Sequence, residues 1–202
     1  MNTKVKLLAG SVVAALLLIG CGGDNALGVG GKSIDKKALK ALNLKGAPNW
    51  VLNAGQGDMS AIGDAEIVGG DLGFARNEAL ALARDEIARQ VEVKITGMLQ
   101  NAKSKSKSDM GDASMQSATS QITEQSVSAI LSGTKQTDTW ITDDGSRIFV
   151  LAKLDEGNKA KLEANVKKQI NQNKLLPNDI KKEVMKNFSE EFNKPVNAEN
   201  AQ

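Results

Sequence analysis

One thiol stands out among the side chains that could do chemistry. Cys21 is the only cysteine in 202 residues, and it follows an apolar run from Leu7 to Ile19. A lone cysteine closes no internal disulfide and builds no cysteine-rich zinc site. The chain has no histidine at all. That removes the commonest general base, the commonest metal ligand and every Ser-His-Asp or Cys-His arrangement. The remaining constellations are weak. Asp85 and Glu86, and Glu190 and Glu191, are adjacent pairs in helical stretches, and neighbours on a helix do not face one another as an acid/base pair must. Asp143, Asp144 and Asp155 are too few and wrongly spaced for a calcium loop. Gly28-Val29-Gly30-Gly31 and Gly69-Gly70 lack the Gly-Lys-Ser/Thr ending of a phosphate-binding loop. The expectation is a protein without catalytic residues, bound metal or cofactor, whose one reactive group is Cys21.

The residues around that thiol read as a secretory signal. Lys4 and Lys6 make a charged start, and the apolar stretch follows. That stretch is too short to cross ~30 Å of hydrocarbon as a helix. Leu18-Ile19-Gly20-Cys21 resembles the lipobox read by lipoprotein signal peptidase, with a small residue before the cysteine and an aliphatic one three before it. The resemblance implies cleavage before Cys21, a diacylglycerol thioether on its sulfur and an N-acyl chain such as palmitate on the new terminus. One acyl chain binds a bilayer marginally, whereas two or more hold stably at about 0.8 kcal/mol per buried methylene. Gly22 stands where aspartate would retain an enterobacterial lipoprotein at the inner membrane, so the outer membrane is the expected location.

Charge sets the next limit. The chain carries 26 basic and 24 acidic side chains. Loss of Lys4 and Lys6 with the signal leaves 24 against 24, so the mature protein has no global basic field for nucleic acid. With two Trp, four Phe and no Tyr, the core must be built from small and aliphatic side chains.

The elements that carry these residues follow from periodicity. Residues 1–20 are the signal and 21–46 a lipidated, glycine-rich tether. An α+β domain spans 47–174, and 175–202 form a C-terminal helix and tail. Lys36 to Lys45, with Leu39, Leu42 and Leu44, has room for one or two helical turns within the tether. Ala61 to Val68 reads as a strand whose Ala61, Gly63, Ala65 and Ile67 share one unusually small face, which lets a helix approach closely. Such a helix is expected from Leu72 to Ala102, with Phe74, Ala79, Leu80, Ala83, Ile87, Val91, Ile95 and Met98 on its buried face and an Asp85–Arg89 ion pair outside. The Lys-Ser alternation from Lys103 to Ser108 heads a polar stretch to Ser120 that reads as a loop. Ile122 to Leu131 is the next helix, stopped by Gly133. Thr137–Thr142 and Arg147–Leu154 form a hairpin around Asp143-Asp144-Gly145-Ser146, with a two-residue Asp-Gly turn that sets Trp140 opposite Phe149 and Ile141 opposite Ile148. Helices follow at Glu156–Asn173 and, after Pro177, at Asn178–Asn193. The last could dock on the domain or on a partner.

The fold expected is therefore a small antiparallel sheet with a helix on one face, in the order strand, long helix, helix, hairpin, helix. Ile141, Ile148, Val150, Ala152 and Leu154 fall on the core face of the hairpin. Trp140, Phe149 and Leu151 fall on the other, among Asp138, Arg147 and Lys153. Aromatic and aliphatic groups mixed with charges on an outer sheet face are the candidate partner-contact patch, unless a helix or tail covers them.

Taken in order, Pro48-Asn49-Trp50-Val51, Ile62-Gly63-Asp64-Ala65, the Ala- and Arg-rich run from Glu78 to Val91, Leu131-Ser132-Gly133-Thr134 and Trp140 with Asp144-Gly145 and Phe149-Val150-Leu151-Ala152 resemble the LPP-twenty lipoprotein family. The similarity covers about Trp50 to Leu154 and the lipobox. It implies an outer-membrane, in some members surface-exposed, lipoprotein. It also implies a small sheet packed on a long helix, and it brings no catalytic residues. Related domains occur in flagellum-associated lipoproteins, so an envelope or motility role is one expectation. The function expected is a lipid-anchored, non-catalytic envelope structural or interaction protein that meets an envelope partner. The alternative is a surface adhesin or antigen that binds a host component.

Overall fold

A computed structural model describes residues 27–29, 32–34, 36–53 and 59–194. Cys21 and the lipobox residues Leu18, Ile19 and Gly20 lie outside them, as does the tail after residue 194. Part of the expected tether carries structure. Strands β1 (Leu27–Val29) and β2 (Lys32–Ile34) pair antiparallel. Helix α1 (Lys36–Ala41) follows and buries Leu39. Helix α2 (Asn49–Asn53) begins after Pro48 and touches both β1 and the last strand of the main sheet.

That main sheet has three strands, β3 (Ser60–Glu66), β4 (Thr134–Ile141) and β5 (Arg147–Leu154), in the order β3-β5-β4 and antiparallel throughout. Between β3 and β4 the chain makes two long helices, α3 (Leu72–Ser106) and α4 (Asp112–Gly133). Three more follow β5: α5 (Glu156–Gln172), α6 (Asn178–Lys186) and α7 (Phe188–Asn193). The α+β class, the small antiparallel sheet and the helix on its face are as the sequence leads one to expect.

The contact between α3 and the sheet explains the small residues. Ala61, Gly63 and Ala65 of β3 and Ile148, Val150 and Ala152 of β5 face Ala75, Ala79 and Ala83 of α3, all of them buried. Gln90 extends the same seam, donating from Nε2 to the Ser60 carbonyl at 3.1 Å. Phe74 is not on this face. It is 66% exposed, and Ala75 holds the place the periodicity gave to it. The helix lies too close to the strand for a ring, so the buried register steps in fours through alanines before it reaches Ile87, Val91 and Ile95.

Several other expectations are corrected. The Lys-Ser stretch is helical to Ser106, where α3 ends on Lys107 in the left-handed region with φ 53°. Only a short turn separates it from α4, because Met115, Ala118 and Ile122 continue a buried stripe through the supposed loop. Lys103 closes that turn with a salt bridge to Asp112 at 2.6 Å. Arg89 pairs with Glu86 at 2.6 Å rather than with Asp85, since three residues bring the two side chains together as well as four. Helix α4 does end at Gly133, as expected, but without the positive φ of a glycine cap. The chain passes straight into β4 through Thr134, at φ −81° and ψ 126°. Gly133 is needed for space, because a Cβ there would lie 2.8 Å from the Asn158 Cβ.

The helices after β5 complete the core. Leu162, Val166 and Ile170 of α5, Ile180 and Val184 of α6 and Phe188 and Phe192 of α7 are all buried in the same cluster as Ile87, Val91, Ile95 and Leu99 of α3. The single helix expected over residues 178–193 breaks at Asn187, and both pieces dock on α3. Lys94 clamps the last one, donating to the Phe192 carbonyl at 2.8 Å and to that of Lys194, with its ammonium 5.9 Å from the Phe192 ring centre.

Candidate interaction face

The hairpin sets the face that α3 leaves uncovered. Trp140 pairs with Phe149 and Ile141 with Ile148, in the register expected. The turn differs. Thr142 N–H donates to the Arg147 carbonyl at 3.0 Å, and Gly145 N–H donates back to Thr142 at 2.8 Å. Gly145 alone has positive φ, at 69°. This is a four-residue loop with a left-handed glycine, not an Asp-Gly turn with both residues at positive φ. Asp144 stabilises it by accepting from Thr142 Oγ1 at 2.7 Å, Ser146 Oγ at 2.8 Å and Ser146 N–H at 3.0 Å. Those donors, the Ser146 N–H first, then Thr142 and the Ser146 hydroxyl, with the nearby Asn43 side chain contributing least, hold its carboxyl well below the usual carboxylate range. The Asn43 contact places the α1–α2 segment beside the hairpin tip.

A bulge at Thr137 shifts the β4 register between Gln136 and Asp138. Beyond it Asp138 and Trp140 share the outer face with Phe149 and Leu151. The Trp140 and Phe149 rings lie 5.4 Å apart, tilted by 41°. Both are half-buried, as are Leu151 and the neighbouring Ile62 of β3. Arg147 bridges Asp64 and, at 3.4 Å, Glu66 on the same face. The structure therefore brings Trp140, Phe149 and Leu151 together as an apolar strip bordered by an ion-pair cluster. α3 packs on the opposite face, and α2 also reaches β5.

Ile141 is corrected. It lies on the inner face, opposite Ile148, yet is 37% exposed because α3 covers β3 and β5 and leaves the β4 edge open. The inner side of that edge is polar. Arg76 Nε donates to Gln136 Oε1 at 2.8 Å, and Gln136 in turn bonds Thr139. Arg84 Nη2 reaches the Thr134 carbonyl at 3.5 Å, with its buried Nε unpartnered.

Sequence reasoning missed a second exposed apolar group. Val68, Leu72 and Phe74 surround the turn from β3 into α3, where Asp71 caps the helix by accepting from Phe74 N–H at 2.9 Å. The signal for it was present in the alanine register. Once Ala75, Ala79 and Ala83 take the sheet side, Phe74 must point elsewhere.

Residues 48–155 match the family model described as LPP20 lipoprotein. The chain belongs to the LPP20 lipoprotein family. Membership makes it a membrane-associated lipoprotein of the cell envelope. Comparison with curated proteins finds no match. The LPP20 match begins at Pro48, just before α2, and ends at Asp155, the cap of α5. It thus contains the whole three-stranded sheet together with α3 and α4. Helices α5 to α7 lie beyond the LPP20 match, although they are inseparable from its core here. No helix among the described residues is long and apolar enough to cross a membrane.

Proposed function

We propose that this LPP20 lipoprotein is held at the outer membrane by acyl chains on Cys21 and acts there by binding an envelope partner, without catalysis. The observation that carries the reading is the pairing of a lipoprotein-family domain with a single cysteine placed directly after Leu18-Ile19-Gly20. The side chains support a binding role. Glu86 is engaged by Arg89, Asp155 caps α5 and faces Lys135 at 2.9 Å, and Glu163 is paired with Lys167. These carboxylates are committed to structure rather than converging on a reacting centre. The partner surface in this reading is the outer sheet face, centred on Trp140, Phe149 and Leu151. Metabolic labelling with palmitate tests the anchor: label enters the wild-type chain and is lost in Cys21→Ser. Unlabelled wild-type protein would overturn the proposal. Protease shaving of intact cells separates an inward-facing envelope component, which stays protected, from a surface adhesin, which is cleaved.

A further inference from the structure

Eight large apolar side chains are exposed among the described residues, and five of them, Leu42, Val68, Leu72, Phe74 and Ile141, gather at one end of the molecule. Three contacts define that end. Ile67 N–H donates to the Ser146 carbonyl at 2.8 Å, tying the turn before α3 to the hairpin loop. Thr142 closes that loop next to Ile141. Asn43, next to Leu42, lies beside Asp144 at its tip. The most protruding residues are Val68, 73% exposed, and Phe74. Gly69 and Gly70, at φ 62° and 78°, throw Val68 outward, and a Cβ added at either would meet no atom within 4 Å. An apolar group of this kind at a water-exposed tip needs an occupant.

The tether indicates which one. Only six residue steps separate Cys21 from Leu27, where the described chain begins, a span of at most about 22 Å when fully extended. The described chain enters through β1, which packs on α2, and passes through β2 and α1 to the same tip at Leu42 and Asn43. A lipid on Cys21 would therefore hold this end of the body within reach of the bilayer. The charge here is mixed, with Lys40 and Lys45 beside Leu42 and with Asp71, Asp143 and Asp144 across the tip. The contact is accordingly apolar and needs no anionic lipid.

We propose that this tip is a second membrane contact, in which Val68, Leu72 and Phe74, flanked by Leu42 and Ile141, enter the interfacial layer of the bilayer that carries the anchor. The inference rests on the anchored reading above. It sets an orientation, with the sheet and hairpin loop toward lipid and the far end of α3, some 50 Å of helix away, toward the aqueous side.

The test uses the full mature chain from residue 22, with an N-terminal hexahistidine standing in for the acylated cysteine. It is held on phosphatidylcholine vesicles that contain a nickel-chelating lipid. Without Cys21 the chain has no other thiol, so a nitrobenzoxadiazole probe labels Phe74→Cys or, as a control at the far end of α3, Ser104→Cys uniquely. On attachment the probe at 74 should shift to the blue, and a shallow spin-labelled lipid should quench it several-fold more than the probe at 104. Adding phosphatidylglycerol or salt should leave that ratio unchanged. Equal quenching at both positions would overturn the proposal. So would a blue shift that depends on protein concentration without vesicles, which would assign the tip to a second copy of the chain. The nickel tether replaces the acyl chains, so failure here leaves anchoring through Cys21 standing, and absence of native acylation cannot produce it.

Discussion

Gly63 lies against Ala79 so closely that a Cβ added to it would sit 1.8 Å from the Ala79 carbonyl oxygen and 2.7 Å from the Ala83 nitrogen. Both neighbours are backbone, so they cannot step aside without moving α3 off the sheet. Gly63→Ala should cost about 3 kcal/mol or more, at the upper end of overpacking effects. Gly97→Ala, on the same helix with open space around it, should stabilise by about 1 kcal/mol. Urea unfolding of the two variants should show midpoints displaced in opposite directions.

The core does not end where the family match ends. Leu162, Ile170, Ile180 and Phe192 are fully buried beyond residue 155 and face α3 or α4. A fragment of residues 48–155 should lack a cooperative thermal transition, because it exposes the apolar side of α3 that these helices cover. Phe192→Ala in the full chain should cost about 3–5 kcal/mol. Lys94→Met should raise amide exchange in α7 ahead of the other helices, because it removes the ammonium that bonds the Phe192 and Lys194 carbonyls.

Much of this architecture was legible from spacing alone. The hairpin register could be read because one loop glycine and two alternating runs fix it, even though the turn type was misjudged. The α3 stripe was legible from Ile87 to Met98, where large residues mark the buried face. It was misread at Phe74, where close helix–strand approach favours alanine and size misleads. The Lys-Ser stretch hid a helix because its buried contacts, Ala102 and Met115, are sparse and lie on either side of a short turn. The α6–α7 docking could not be decided, since an amphipathic stripe does not say what it packs against. The apolar tip was missed for a related reason: exposure of Leu72 and Phe74 depends on the helix phase, which the alanine register of Ala75, Ala79 and Ala83 carries and side-chain size obscures.

The Trp140–Phe149 pair is half-buried on the face turned away from α3, so replacing both should damage binding more than folding. In Trp140→Ser/Phe149→Ser the unfolding midpoint should fall modestly, because an aromatic pair contributes about 0.5–1.5 kcal/mol beyond its buried area. Capture of an envelope partner by crosslinking in native membranes should be lost. Unchanged capture in a folded double variant would remove this face from the account.

Acid should loosen the C-terminal helices. The Lys167 ammonium, 2.8 Å away, and then the Ser189 hydroxyl at 2.5 Å hold the Glu163 carboxyl below its ordinary range. At Asp155 the Asn158 N–H, and after it Lys135, do the same. Because both groups are depressed in the folded state, their stabilisation is present above the ordinary carboxylate value of about 4 and is lost as pH falls through the folded value. Thermal midpoints should be flat from neutrality to about pH 5 and decline below about pH 4. Glu163→Gln should flatten part of that decline.

Mass spectrometry of the native protein, purified from envelope in detergent, bears most directly on the central claim. The amino-terminal peptide should begin at Cys21 and carry the mass of a thioether-linked diacylglycerol with an amide-linked fatty acid. A native product that retains Met1–Gly20, or begins at residue 21 with an unmodified thiol and is recovered from the aqueous fraction, would contradict it.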